Sequence, residues 1–318
     1  MKQKNKPAIS VVMSAYNSEK YIGEAIESIL NQSFRNFEFI IINDGSIDKT
    51  LEIIKRYSKK DNRIRLIDNG KNLGLIKSLN RGLKSAKGKY IARMDADDIS
   101  LRERFKVQYN YLEENPSIFL IGTGAFIVNE EDKKTGRFNP VVGYKRISKQ
   151  IVKGNIIYHP TIMLRNGFGV FYRDKMRYCE DYDLYLRLLS SGKKINNLSL
   201  PLLRYRKRKD SITSIYNVKQ KIITEKAKEF YFQRISKGHD QYDKFNLNKI
   251  LHHVLGRSNE RVVLECEIKS MFHRGNYLLA RKLAIKYFKL FGFVNKYLIV
   301  YIIATIMSIK SIHFWTSC

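Results

Sequence analysis

From Ile9 onward, short unbroken runs of apolar and β-branched residues alternate with stretches whose apolar residues recur every three or four positions. The first pattern marks buried strands and the second amphipathic helices. Residues 9–14 read as a strand, and Ile22, Ala25, Ile26, Ile29 and Leu30 share one helical face. Residues 37–42 read as a second strand, ending in the turn Asn43-Asp44-Gly45-Ser46. Asp48 can cap a helix that buries Leu51, Ile53 and Ile54. Residues 64–67 form a third strand. Leu75, Ile76, Leu79, Leu83 and Ala86 mark a third helix, stopped at Gly88, and residues 89–94 a fourth strand. Strands that are apolar throughout and alternate with helices predict an α/β fold, a mostly parallel sheet covered on both faces.

Such sheets bind ligands beyond the carboxyl ends of their strands. Here those ends are Ser14-Ala15-Tyr16-Asn17, Asn43-Asp44-Gly45-Ser46 and Met94-Asp95-Ala96-Asp97-Asp98, so three polar, partly acidic clusters share one rim. Neither G-x-G-x-x-G nor G-x-x-x-x-G-K-[ST] occurs, so a nucleotide must be held without a glycine-rich phosphate loop. With 318 residues, 44% of them apolar, the chain can bury a full core. Three cysteines give no disulfide framework, in keeping with a reducing compartment. The apolar run at residues 8–15 is short and interrupted, and reads as a strand rather than an export signal.

Asp95, Asp97 and Asp98 repel one another unless something positive joins them. A divalent cation with one or two carboxylates and phosphate oxygens would do so, although Asp98 could instead cap a helix starting near Leu101. Asp44 is either an ordinary turn aspartate or an acceptor for a base edge. In Cys179-Glu180-Asp181-Tyr182-Asp183, Asp181 or Asp183 starts a helix, and Asp183 and Arg187 are spaced for an ion pair. Glu180 and Asp181 are adjacent acids with an apolar helix behind them, a setting for a general base. His159-Pro160 precedes an apolar segment, and His159 is a candidate for the same site.

Taken together, these motifs resemble family 2 glycosyltransferases of the GT-A fold, of the bacterial surface-polysaccharide type. Residues 9–17, Asn43-Asp44-Gly45-Ser46, Asn72-Leu73-Gly74, Asn80, residues 90–98, Arg104-Phe105, Gln108, Gly122, His159-Pro160 and Glu180-Asp181 carry the resemblance over about residues 8–210. It implies an inverting, metal-dependent transfer from a nucleotide-sugar donor to a hydroxyl of a glycan or lipid-linked saccharide. Ala15, Tyr16, Asn17 and Glu19 match the first nucleotide-binding segment and Asp44 the acid at the base. Arg93, Asp95 and Ala96 match positions near the nucleotide, with Asp95 at the ribose. Asp97 matches the Mn²⁺ or Mg²⁺ ligand of the D-x-D motif, with Asp95 beside it, and Asp181 the catalytic base, flanked by Glu180. An acid at Asp44 suits uracil and also guanine, so UDP is favoured without being fixed.

The resemblance divides the chain into a catalytic domain, 1–210, and a basic helical region, 211–318. The formal charge is +29, of which +15 falls in residues 201–318. Lys282, Lys286 and Lys289 share a helical face, either solvated or apposed to an anionic bilayer, and Lys296 would extend it. Residues 297–309 carry no charge, but as a helix they reach about 20 Å, short of the roughly 30 Å hydrocarbon core. Segment 278–312 is thus expected to dock on a membrane surface rather than cross it. This places the enzyme in the cytoplasm, at the inner face of the plasma membrane. Two other functions compete. A nucleic-acid-binding protein would use the charge but leave the acidic rim unexplained, so no nucleic-acid partner is expected. A metal-dependent nucleotidyltransferase would want a glycine-rich basic loop that Ser18-Glu19-Lys20 does not supply.

Overall fold

The computed structural model describes residues 6–167, 170–208, 217–247, 264, 268 and 277–291. Two compact units emerge, one of Met1–Lys207 with Thr224–Gln241, the other of Arg208–Ile223 with Tyr242–Cys318.

In the first unit, β1 (Ile9–Ala15), β2 (Phe37–Asn43), β3 (Ile64–Asp68) and β4 (Tyr90–Asp95) pair in parallel in the order β3-β2-β1-β4. They alternate with α1 (Ile22–Leu30), α2 (Thr50–Lys60) and α3 (Leu75–Ser85). Burial follows the two-residue period of a strand. Ile9, Val11 and Met13 of β1 join the core under α1, α2 and α4 (Arg104–Glu114). Val12 faces the other way, toward α3. There Gly82 lets α3 sit close: a Cβ would lie 2.5 Å from a Val12 methyl and 2.7 Å from that of Ile42. Gly82→Val is therefore expected to cost about 1–3 kcal/mol, read as a lower denaturation midpoint at unchanged slope.

Beyond β4 the sheet becomes mixed, where the sequence pattern predicts it mostly parallel. β5 (Ile99–Ser100) and β6 (Ile118–Val128) are followed by β7 (Lys134–Phe138), α5 (Tyr144–Gln150), β8 (Met163–Arg165), α6 (Glu180–Ser190) and β9 (Lys194–Arg206). β8 runs antiparallel to both β4 and β6, which lets it close the gap between the two halves. β9 pairs in parallel with β6 and antiparallel to β5, and β7 hangs on β6. α7 (Asn217–Lys237) follows β9.

In the second unit, α8 (Tyr277–Phe291) buries Ala280, Ala284 and Tyr287, and a small core gathers Leu264, Ile268, Ala284 and Tyr287. Lys282, Lys286 and Lys289 are exposed, as are Leu278, Leu279, Ile285 and Leu290. No helix among the described residues is long and apolar enough to cross a membrane. Lys296, the uncharged stretch 297–309 and the rest of 278–312 beyond Phe291 lie outside the described residues.

Candidate active site

Strand register builds the expected rim. Ala15 pairs with Asn43, Asn43 with Asp68, and Ser14 with Asp95, so these strand ends lie side by side. The Asp44 amide donates to the Ala15 carbonyl at 2.8 Å, joining the first two clusters. Tyr16 follows, half-buried. Asn17 adopts a positive φ of 46° and its Oδ1 accepts the Ile47 amide at 3.0 Å. Glu19 accepts the Lys49 amide at 2.9 Å, while Asp48 takes those of Glu19 and Thr50. Asn17 and Glu19, expected at the nucleotide, thus use their side chains to brace the 46–49 turn. The Asp44 carboxylate is buried and accepts from Asn69 Nδ2 and from the Leu73 and Gly74 amides, at 2.8, 2.8 and 3.0 Å. Three of a carboxylate's roughly four acceptor positions are used, which leaves one for a base edge. Gly45 makes this turn possible: its φ is 68°, and a Cβ would lie 2.3 Å from the Lys71 backbone.

At the end of β4, Arg93 is 5% exposed and pairs with Asp95. The pairing holds Asp95 toward the guanidinium. Burial opposes the charge of Arg93, but Asp95 keeps it ionised, and its Nε has no hydrogen-bond partner. Ala96 is buried and Asp97 half-buried. Asp98 is not a helix cap. β5 intervenes before α4, and Asp98 Oδ1 accepts the Arg206 amide at 2.9 Å. Its Oδ2 has no hydrogen-bond partner among the described residues, and burial, then Asp97 and Asp95, hold its carboxyl well above the usual range. Arg206 also donates to the Asp97 carbonyl at 2.9 Å, fixing the acidic turn on β9. Behind it, fully buried Arg104 donates to the Arg93 and Ile162 carbonyls, tying β4 to the His159–Thr161 turn. Burial and Arg93 pull the Arg104 pKa down to about 9.

Glu180 and Asp181 open α6, where the helix dipole favours acids. Asp181 Oδ1 accepts the Tyr182 amide and Oδ2 the Asn155 amide group, each at 2.7 Å. The charge of Arg93 lowers the pKa of both acids, against the larger opposing effect of burial. His159, 8% exposed, shares a 2.7 Å hydrogen bond with the Tyr172 hydroxyl, and burial and Arg93 hold it neutral. Tyr172 is fixed by Asn80, whose amide pairs with the Tyr172 backbone through two 2.8 Å bonds. Asp183 pairs with Arg187, as its spacing predicts, and also with Arg173.

Burial, then Asp181, pushes Glu180 up to about 7, and burial raises Asp181. A carboxyl with a raised folded pKa stabilises the protein below its ordinary value of 4.5, and that stabilisation is lost as pH rises through about 7. Glu180→Gln is therefore expected to melt about 2–6 °C above wild type at pH 8, with the gap closing toward pH 5. Scanning fluorimetry across pH checks this.

Sequence reasoning missed Asn155, Tyr172 and Arg206, single residues on loops or a strand end with no motif spacing. Asn155 and Arg206 carry no sequence signal, and Tyr172 only its position between His159 and the acid pair.

The sequence matches the family described as Glycosyl transferase family 2 over residues 10–171. A Haemophilus influenzae protein named an uncharacterized glycosyltransferase is 35% identical over 265 residues, 78% of this chain and 81% of that one. The O-antigen biosynthesis glycosyltransferase WbnJ of Escherichia coli is 36% identical over 210 residues, 62% of this chain and 79% of WbnJ. Residues 1–349 of S. aureus TarS, solved with UDP-GlcNAc, share the fold at a TM-score of 0.57 and 19% identity over 89% of each chain. Neither the nucleotidyltransferase nor the nucleic-acid-binding alternative is favoured by these matches. The chain belongs to glycosyl transferase family 2, and it is a glycosyltransferase of the GT-A fold.

Proposed function

We propose that the protein transfers a sugar from a UDP-sugar, with inversion, to a hydroxyl of a glycan or lipid-linked saccharide in surface-polysaccharide synthesis. The reading is carried by the rim itself: strand register sets Ala15, Asn43 and Asp95 side by side, with the Asp44 carboxylate buried next to them. UDP is supported by TarS, solved with UDP and with UDP-GlcNAc. The acceptor class is supported by WbnJ and by the amylovoran biosynthesis relative AmsE of Erwinia amylovora.

The residues fit a divalent cation. The acidic turn holds a buried carboxylate oxygen without a hydrogen-bond partner among the described residues, and Arg93 is the cation paired at its edge. Asp97 would hold the metal ion, with Asp95 beside it, and Mn²⁺ or Mg²⁺ there would offset charge on the departing diphosphate.

Asp181 takes the proton of the acceptor hydroxyl as that oxygen attacks the anomeric carbon. The bond from that carbon to the phosphate oxygen breaks, and the electron pair leaves with UDP. Attack from the face opposite the leaving group inverts the centre. Burial raises Asp181 above the usual carboxylate range and pushes neighbouring Glu180 up to about 7, which strengthens both as proton acceptors. Arg93, Arg104 and the His159–Tyr172 pair hold the frame of this site. Exposed Lys282, Lys286 and Lys289, with exposed Leu278 and Ile285, support attachment to an anionic cytoplasmic leaflet, where lipid-linked acceptors reside.

Thermal shift with UDP tests the donor assignment. UDP with Mn²⁺ should raise the melting temperature more than either alone, and more than GDP with Mn²⁺. No shift with UDP in either condition would refute it.

A further inference from the structure

The Asp181 carboxylate is held on both sides. At Oδ1 the donor is the Tyr182 amide of its own helix, and at Oδ2 it is Nδ2 of Asn155, each at 2.7 Å. Asn155 is not on α6. It lies in the segment between the Ile151–Lys153 turn and the His159–Thr161 turn.

Three features fix that side chain. Its Oδ1 accepts the Ile157 amide at 3.1 Å, so the amide has a defined orientation and Nδ2 faces Asp181. Ile151 and Ile157, fully or nearly buried, anchor the segment on either side. The Tyr182 hydroxyl donates to the Ile151 carbonyl at 2.6 Å, docking the segment on the helix that carries Asp181. Asn155 itself is exposed, so the segment is held by its neighbours rather than by Asn155.

We propose that Asn155 is the positioning residue of the catalytic base: its oriented amide aims the Asp181 carboxylate and holds it in the ionised form that accepts the acceptor's proton. The inference rests on Asp181 being the base. Two fixed donors, one per oxygen, leave the carboxylate little rotational freedom, and orientation of this kind contributes to rate without contacting substrate. Donation to the charged form also counters the burial that raises its pKa. Among the described residues, other titratable or charged groups that act on Asp181 include Glu180 on α6, Arg93 on β4, Cys179, Tyr172 and Tyr185. None of them supplies a hydrogen bond to Oδ2.

The test titrates the carboxyl itself. Full-length protein labelled with ¹³C at aspartate Cγ is followed by NMR from pH 4 to 8, with the Asp181 resonance assigned by its loss in Asp181→Asn. In Asn155→Ala the midpoint should rise by about half to one pH unit, since the ionised form loses a donor. In Asn155→Asp, which keeps the acceptor for the Ile157 amide but adds a like charge, it should rise further. Melting temperatures should stay within about 2 °C, because the segment's anchors are intact. A midpoint in folded Asn155→Ala indistinguishable from wild type, or an Asn155→Asp midpoint no higher than wild type, would overturn the proposal. The readout needs no substrate. Turnover by Asp181→Asn would instead refute the base assignment and leave the titration result standing.

Discussion

Asp181→Asn abolishes transfer while the protein stays folded and still binds donor. The substitution is isosteric, and its oxygen can still accept the Tyr182 amide at the start of α6. What it removes is the group proposed to take the acceptor's proton, and general-base assistance is worth about 10²–10⁴ in rate. The melting temperature should not fall, because the wild-type carboxylate is ionised against the opposition of burial. Release of UDP in the presence of acceptor, measured alongside donor affinity by calorimetry, separates the two effects. Turnover near wild type would remove Asp181 from the chemistry and shift attention to Glu180.

Asp97→Asn produces the second large loss, for a different reason. Its backbone carbonyl accepts from Arg206, and that hydrogen bond survives the substitution, so the turn keeps its anchor on β9. Arg93 still pairs with Asp95. The lost negative charge is the one proposed to hold the cation that would offset charge building on the diphosphate. Stabilisation of that kind is worth roughly 10²–10³ in turnover per group. Activity should fall by that factor and respond only at much higher Mn²⁺, with the melting temperature unchanged. A variant with wild-type turnover at micromolar Mn²⁺ would exclude Asp97 as the ligand.

The first four strands were legible because each is a run of buried apolar residues ending at a recognisable turn, and register then places Ala15, Asn43 and Asp95 together. The second half was not. β5 has two residues and β8 three, too short to show a period, and β9 is broken by Pro201 and by shifts in register. The antiparallel β8 depends on pairing with β4 and β6, contacts distant in sequence. At the site, acids were readable as clusters, but their partners were not. Arg93 and Asp95 are two apart on one strand, yet whether Asp95 turns to the guanidinium or to a metal depends on burial around it. The same holds for Asp98, which could have capped a helix until β9 brought the Arg206 amide to it. Asn17 and Glu19 sit where nucleotide contacts are expected, and the sequence did not show that their side chains also hold the adjacent turn.

The central claim is a single base, Asp181, acting opposite the leaving group. The most direct measurement is the anomeric configuration of the product formed from an α-linked UDP-sugar, read by the ¹H coupling at the new linkage. Wild type should give a β-linked product and Asp181→Asn none above background. An α-linked product, or β-linked product formed at wild-type rate without Asp181, would contradict it.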